Sequence, residues 1–223
     1  MIVVGMKKFC VLGPFHSGTN LIAKIVSHKY RYCRITYKHS ISDINIDPDV
    51  MYIIMYKNVY NWMASIKKES YEIRFRNGFY DPIEYQKRNF ENLLALYHEY
   101  YRNYRELLQK YPTQMICIDY YQLIQGKKGF EYLNLQLQKI GCPPLQDSNH
   151  FLLMLSMPSK LHGKSVQNST EALLKQNTNR VLYQKEIHHH LSHEIDQDLY
   201  DFFDSCTSIS RDDRQSFHSF SGL

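Results

Sequence analysis

The chain has 223 residues, which is enough for one domain whose hydrophobic core needs no disulfide or metal to be stable. Its formal net charge of +5 suits a small anionic ligand but falls short of the dense basic stripe of a dedicated nucleic-acid-binding protein. No run reaches the roughly 18 apolar residues of a membrane span. Lys7 and Lys8 interrupt the apolar N-terminus before a signal peptide could form. Five widely spaced cysteines without a CxxC pair indicate reduced thiols, so we expect a cytoplasmic protein. Because the net charge is modest, we expect no nucleic-acid partner.

Short β-prone runs alternate with helical patterns along most of the chain. Strands are predicted over residues 9–12, 33–37, 50–56 and 115–118. Helices are predicted from Thr19, over 59–66, over the long stretch 81–112, over 132–140 and around 191–203. This alternation predicts an α/β fold, a three-layer sandwich with a central, mainly parallel sheet. We expect one domain over residues 1–204 and a flexible, Ser- and Asp-rich tail over 205–223.

The segment from Gly13 to Asn20 is the most informative local pattern. A strand that turns through Gly-x-x-x-x-Gly into a helix directs several backbone N–H groups and the helix dipole at one point, where an anion can bind. The version that binds nucleoside triphosphates reads GxxxxGK[ST], whereas this chain has Thr19 at the lysine position and Asn20 at the magnesium-binding position. Both differences disfavour a kinase or NTPase, which needs the lysine and the metal to neutralise charge. A glycine-rich turn that only connects strand and helix is the plainer interpretation.

Two further segments extend the pattern. The sequence Gly13-Pro14-Phe15-His16-Ser17-Gly18-Thr19-Asn20 resembles the 5′-phosphosulfate loop of sulfotransferases, and the segment from Tyr56 to Ile66 resembles their 3′-phosphate motif. That motif has an Arg at a strand end and a Ser eight residues later on the next helix, and Lys57 and Ser65 match this spacing. The segment 36–39 is similar to the strand end that carries the family's catalytic histidine.

The resemblance implies a P-loop NTPase-like topology and an enzyme that transfers a sulfuryl group from 3′-phosphoadenosine 5′-phosphosulfate (PAPS) to a hydroxyl or amine acceptor. The product would be 3′,5′-bisphosphoadenosine, and no metal is implied. The 5′ side would be held by the backbone amides and side chains of the loop, namely His16, Ser17, Gly18, Thr19 and Asn20. Lys57 and Ser65 would hold the 3′-phosphate. His39 would take the acceptor's proton, since an imidazole titrates near neutral pH; a surface histidine is the alternative.

His16 stands where the family has Lys or Arg next to the transferring group. Three explanations stay open: His16 is protonated when the ligand binds, Lys38 supplies the charge as a third catalytic residue, or the chain binds nucleotide without turnover. A basic segment with Lys160 and Lys164 is either the counterpart of the family's late loop over the adenosine phosphates or an ordinary exposed loop. The histidines over 188–193 have a spacing that could share a metal ion, but a solvated helix end is the favoured interpretation.

Other functions fit parts of the pattern. A non-catalytic nucleotide-binding or interaction protein of the same fold would explain His16. A divergent nucleoside or nucleotide kinase would use the same loop but lacks its lysine. The acceptor is not identified by any residue pattern.

Overall fold

The computed structural model describes residues 7–33, 38–39, 44–67, 90–157 and 195–208. The strands in these ranges are β1 (Lys8–Leu12), β2 (Arg31–Tyr32), β3 (Val50–Tyr56) and β4 (Met115–Asp119). The helices are α1 (Thr19–Val26), α2 (Val59–Lys67), α3 (Phe90–Lys110), α4 (Tyr120–Leu123), α5 (Lys127–Lys139), α6 (Ser148–Ser156) and α7 (Gln197–Thr207). The predicted α/β class is confirmed.

The four strands form one sheet in which every pair is parallel, in the order β2-β1-β3-β4. Strand β3 pairs with β1 along its first five residues and with β4 along its last five. Its side chains are buried on both faces except for the half-buried Met51. A nearly continuous apolar run is what a strand covered on both faces requires, and this explains why the predicted and observed bounds of β3 agree.

Helices cover both faces of the sheet. On one face, α1, α5 and α6 pack against the side chains of Phe9, Val11 and Ile53. On the other face, α2, α3 and α7 pack against Cys10, Leu12 and their neighbours on β3 and β4, and tyrosines of α3 supply much of that core. The chain therefore passes from β1 to β2 on one face of the sheet and from β3 to β4 on the other.

Strand β2 and helix α6 differ from the prediction, as do the short helix α4, which was not predicted, and α5, which begins at Lys127 rather than near 132. Strand β2 comprises Arg31 and Tyr32, earlier than the predicted 33–37, of which residues 34–37 lie outside the described ranges. Cys33 still donates its amide to Phe9 across the sheet, at 2.7 Å. Helix α6 was not predicted, because a short helix with apolar residues on several sides lacks a clear helical period; Asp147 caps it by accepting from the amide of His150.

The last helix lies farther along the chain than its apolar pattern indicated. Helix α7 begins after its cap Asp196 and continues to Thr207, three residues beyond the predicted domain boundary at 204. Thr207 is buried, and its carbonyl accepts hydrogen bonds from Gln122 and Gln136. Residues 209–223 of the predicted tail, and 81–89 of the predicted long helix, lie outside the described ranges.

All five cysteines are free thiols, as predicted, and three of them are buried. Burial raises the pKa of the Cys10 thiol to about 12. In the described ranges, no helix is long and apolar enough to cross a bilayer.

Candidate functional site

The loop after β1 lies where the order of the strands in the sheet reverses, between β1 and β3. Strand β1 leads through α1 to its neighbour on one side, whereas β3 leads through α2 and α3 to its neighbour on the other side. The connections that follow β1 and β3 therefore lie on opposite faces of the sheet and leave a crevice at the carboxyl ends of these two adjacent strands. Ligands bind in such crevices in open parallel sheets. The predicted anion loop and Lys57 follow directly at these two ends.

The loop is held in a conformation that ordinary residues rarely adopt. Gly18 has a φ of 95°, and a Cβ at this position would lie 2.3 Å from a ring carbon of Tyr120. His16 has a φ of 62°, in the left-handed region that is costly for a side chain with a Cβ. A residue held in this region is stabilised by its surroundings.

Side chains behind the loop maintain this shape. The Ser17 hydroxyl donates to the carbonyl of Pro14 at 2.7 Å, and the Ser17 amide donates to the same carbonyl at 3.3 Å. The indole of Trp62 on α2 donates to the carbonyl of Phe15 at 2.7 Å. Trp62 is buried, in agreement with its interpretation as a packing residue. Ser17, which was predicted to contact the anion, uses its hydroxyl and its amide to form the turn.

The remaining predicted donors lie at the first turn of α1. Among the described residues, no acceptor is bonded to the amides of Gly18, Thr19 and Asn20. The ammonium of Lys38 donates to Oδ1 of Asn20 at 2.6 Å, which brings a cation to the first turn of α1. The carbonyl of Lys38 accepts the amide of Gly13 at 3.2 Å, so this segment is fixed to the loop by its backbone as well. Three amides and one cation at a helix N-terminus form a site for an anion.

Lys57 and Ser65, eight residues apart in the sequence, are in contact. The Lys57 ammonium donates to Oγ of Ser65 at 2.9 Å and to the carbonyl of His16 at 3.1 Å. The ammonium also lies 5.1 Å from the centre of the Tyr120 ring. Lys57 is 8% exposed, and this burial lowers its pKa from the ordinary 10.5 to about 8. In the described ranges no carboxylate pairs with the Lys57 ammonium.

His39 also contacts the loop. Its Nδ1 is 2.7 Å from the carbonyl oxygen of Gly13, and its ring stacks on Phe15 with the centroids 4.2 Å apart. Because a carbonyl only accepts, Nδ1 carries the proton, and in the neutral ring Nε2 is then the basic nitrogen. The backbone of His39 is also held, since its carbonyl accepts the Tyr100 hydroxyl at 2.7 Å.

Several residues of the site were not predicted from the sequence. Tyr120, the first residue after β4, lines the crevice between Gly18 and Lys57. Tyr97 and Tyr101 bond the backbone around Lys57 and were interpreted only as packing residues. Tyr120 could have been found from its position directly after a predicted strand. Tyr97 and Tyr101 could not, because nothing in the apolar stripe of a helix shows which tyrosine hydroxyls reach a site.

The other predicted residues fall elsewhere. Lys160, Lys164 and the histidines over 188–193 lie outside the described ranges. Within those ranges, no three His, Cys, Asp or Glu side chains are grouped as a metal site. A cavity of about 220 Å³ lies beside His28 and His150, at the opposite end of α1 from the loop, and is separate from the crevice.

No protein-family model, curated protein or solved structure matches the chain.

Proposed function

We propose that this chain is a sulfotransferase that moves a sulfuryl group from PAPS to a hydroxyl or amine acceptor, on a fold with P-loop NTPase-like topology. The observation that carries the proposal is the contact between Lys57 and Ser65 at the end of β3, opposite a phosphate-type loop. A loop alone would suit many anions. A buried cation with a hydroxyl partner, present in addition to the loop and Lys38, suits a nucleotide with phosphates at both its 5′ and 3′ positions.

The 5′ end of the nucleotide is assigned to the N-terminus of α1. The amides of Gly18, Thr19 and Asn20 and the ammonium of Lys38 would stabilise the negative charge that builds on the leaving phosphate. Fixed donors of this kind need no reorganisation as the bond breaks. Ser17 acts indirectly, by forming the turn that directs these amides outward.

The 3′-phosphate is assigned to Lys57 and Ser65. The Ser65 hydroxyl donates to the carbonyl of Asn61 at 2.8 Å and accepts from Lys57, so it would turn to donate to the phosphate. An anion at this position compensates the burial of the Lys57 ammonium. The nucleotide would therefore be anchored at both ends, with the sulfuryl group directed toward His39.

In the reaction, the acceptor oxygen or nitrogen attacks sulfur in line with the bond to the phosphate oxygen. That bond breaks, its electrons remain on 3′,5′-bisphosphoadenosine, and the acceptor's proton goes to Nε2 of His39. The hydrogen bond from Nδ1 to Gly13 selects this tautomer and orients the ring toward the loop. The protein supplies position and charge rather than a covalent intermediate.

The position of Lys38 favours one explanation for His16. The carbonyl of His16 bonds Lys57, and the cation near the start of α1 comes from Lys38. We therefore assign to Lys38 the positive charge next to the transferring group. His16 shapes the loop through its backbone. A non-catalytic nucleotide-binding protein remains the second candidate, favoured by the lack of a Lys or Arg side chain at position 16.

Ligand-dependent thermal stabilisation separates these functions. Bisphosphoadenosine at 100 times its Kd should stabilise the chain by about 3 kcal/mol, whereas ATP with magnesium should give a much smaller shift. A larger shift with ATP and magnesium would contradict the sulfotransferase proposal and favour the kinase. Stabilisation by bisphosphoadenosine without turnover of PAPS toward phenols, sterols, sugars or peptides would favour the non-catalytic protein.

A further inference from the structure

The buried tyrosines of α3 contact the backbone of two candidate site residues, Lys57 and His39. Tyr97, Tyr100 and Tyr101 are each at most 3% exposed and lie on the face of the helix that packs against the sheet. Each of the three hydroxyls bonds a backbone group of a strand or loop that carries a candidate site residue. A buried tyrosine hydroxyl usually has a hydrogen-bond partner somewhere in the core. Here the partners of all three hydroxyls lie next to candidate site residues.

Two of these hydroxyls hold the end of β3. The Tyr97 hydroxyl donates to the carbonyl of Lys57 at 3.0 Å. The Tyr101 hydroxyl accepts the amide of Lys57 and donates to the carbonyl of Met55, both at 3.1 Å. Strand β3 ends at Tyr56, so the backbone of Lys57 has left the sheet and takes its hydrogen bonds from α3 instead. The position of the ammonium in the crevice therefore depends on this helix.

The third hydroxyl holds the backbone of His39. Tyr100 donates to the carbonyl of His39 at 2.7 Å, and the imidazole of the same residue donates to Gly13. His39 is thereby fixed between the helix and the loop. Because Tyr100 and Tyr101 are adjacent in α3, the same helix holds the backbone of His39 and the backbone of Lys57.

We propose that Tyr97, Tyr100 and Tyr101 are positioning residues, and that α3 sets the separation between the Lys57 ammonium and the His39 imidazole. The catalytic importance of this separation rests on the proposed function, in which Lys57 anchors the nucleotide and His39 accepts the proton. The separation itself is independent of that function. Removing the Tyr97 hydroxyl loosens the backbone of Lys57, which Tyr101 still bonds, and leaves His39 in place. Removing the Tyr100 hydroxyl loosens His39 and leaves Lys57 in place.

Phenylalanine substitutions test this, because they remove the hydroxyl and keep the ring. The variants are Tyr97→Phe and Tyr100→Phe, with Tyr30→Phe as the matched control. Tyr30 is also buried, and its hydroxyl also donates to a backbone carbonyl, that of Pro143, at the amino end of the sheet. All three variants lose a hydroxyl-to-carbonyl bond made by a buried tyrosine, so a merely structural effect is shared among them.

The deciding readouts are NMR titrations of Lys57 and His39 in the full chain without ligand. Tyr97→Phe should move the Lys57 titration midpoint up from about 8 by at least half a unit, because a loosened strand end admits water. Tyr100→Phe should leave that midpoint in place and change the Nδ1-H signal of His39. Midpoints and signals that change no more than in Tyr30→Phe, or that change together in both variants, would overturn the inference.

Nucleotide binding is measured in parallel to keep the two proposals apart. Tyr97→Phe should weaken bisphosphoadenosine at least fivefold, while Tyr100→Phe should stay within twofold of the unsubstituted chain. Failure of the unsubstituted chain to bind bisphosphoadenosine would overturn the proposed function only, since the titrations of Lys57 and His39 need no nucleotide. Changes in binding without the changes in titration would overturn the positioning role.

Discussion

The ammonium of Lys57 donates to the hydroxyl of Ser65 across 2.9 Å, joining the end of β3 to the second turn of α2. The same ammonium reaches the carbonyl of His16 in the loop after β1. A buried cation thus bridges the two strands between which the crevice opens. A charge in such a place is costly unless an anion compensates it, and this cost makes its consequences measurable.

The first consequence is a pH-dependent affinity for bisphosphoadenosine. Burial lowers the pKa of Lys57 to about 8, so above this pH the free protein has lost the charge that the 3′-phosphate needs. We expect the affinity to be about tenfold weaker at pH 9 than at pH 7, because binding must then take up a proton. Titration calorimetry over this range measures it. Lys57→Arg keeps its charge and serves as the control, with an affinity that changes little. A flat profile in the unsubstituted chain would show that Lys57 does not contact the anion.

The second consequence is a rise in stability with pH that belongs to Lys57. Its folded pKa lies below its unfolded value of 10.5, so between about 8 and 10.5 the unfolded chain binds the extra proton and stability increases with pH. Relative to Lys57→Met, the free energy of unfolding should increase by about 2 kcal/mol from pH 7 to 9.5. Urea denaturation of both proteins gives this difference, and tyrosine titration cancels in the subtraction. A difference that stays constant with pH would show that the ammonium is hydrated.

A third prediction concerns Gly18, whose missing side chain makes room for Tyr120. An alanine Cβ would meet that ring at 2.3 Å with φ at 95°, so Gly18→Ala should cost about 3 kcal/mol or displace the loop and abolish bisphosphoadenosine binding. Gly141 is the matched control, because it also has a positive φ, 64°, but a Cβ added there would meet nothing within 4 Å. Gly141→Ala should cost about 1 kcal/mol and leave binding unchanged. Equal losses in the two variants would mean that the contact with Tyr120 is unimportant.

A fourth prediction separates chemistry from binding at His39. His39→Gln can still donate to Gly13 but cannot accept a proton, so PAPS turnover should fall at least about 100-fold. Bisphosphoadenosine affinity should stay within about threefold, since the phosphates are assigned to other groups. Turnover is followed with radiolabelled PAPS and an acceptor found by screening phenols, sterols, sugars and peptides. Turnover close to that of the unsubstituted chain would remove His39 from the mechanism.

The sequence was most informative where a local pattern decides the structure. The apolar run of β3 and the glycine-framed loop into α1 were both predicted, because burial on two faces and a turn into a helix each leave a compact signature. The spacing of Lys57 and Ser65 also has a local basis, since eight residues bring a strand end and the next helix together. Contacts of this kind need no knowledge of the rest of the chain.

The parts that could not be predicted depend on contacts distant in sequence. Tyr100 reaches His39 across 61 positions, and Trp62 reaches Phe15 across 47. Their apolar rings fit a helical stripe equally well with or without a polar partner, so their hydroxyl and indole groups gave no signal. Ser17 shows the converse. Its place in the loop predicted an anion contact through its backbone amide, and in the fold both this amide and the hydroxyl bond the carbonyl of Pro14.

The most direct test of the 3′-phosphate assignment compares bisphosphoadenosine with 5′-AMP, which lacks only the 3′-phosphate. Calorimetry should show the unsubstituted chain binding bisphosphoadenosine at least about 30-fold more tightly, a difference of about 2 kcal/mol. Lys57→Met should reduce this preference to within about threefold, whereas Lys38→Met should weaken both nucleotides alike. Equal affinities in the unsubstituted chain, or a preference that survives Lys57→Met, would contradict the assignment of the 3′-phosphate to Lys57 and Ser65.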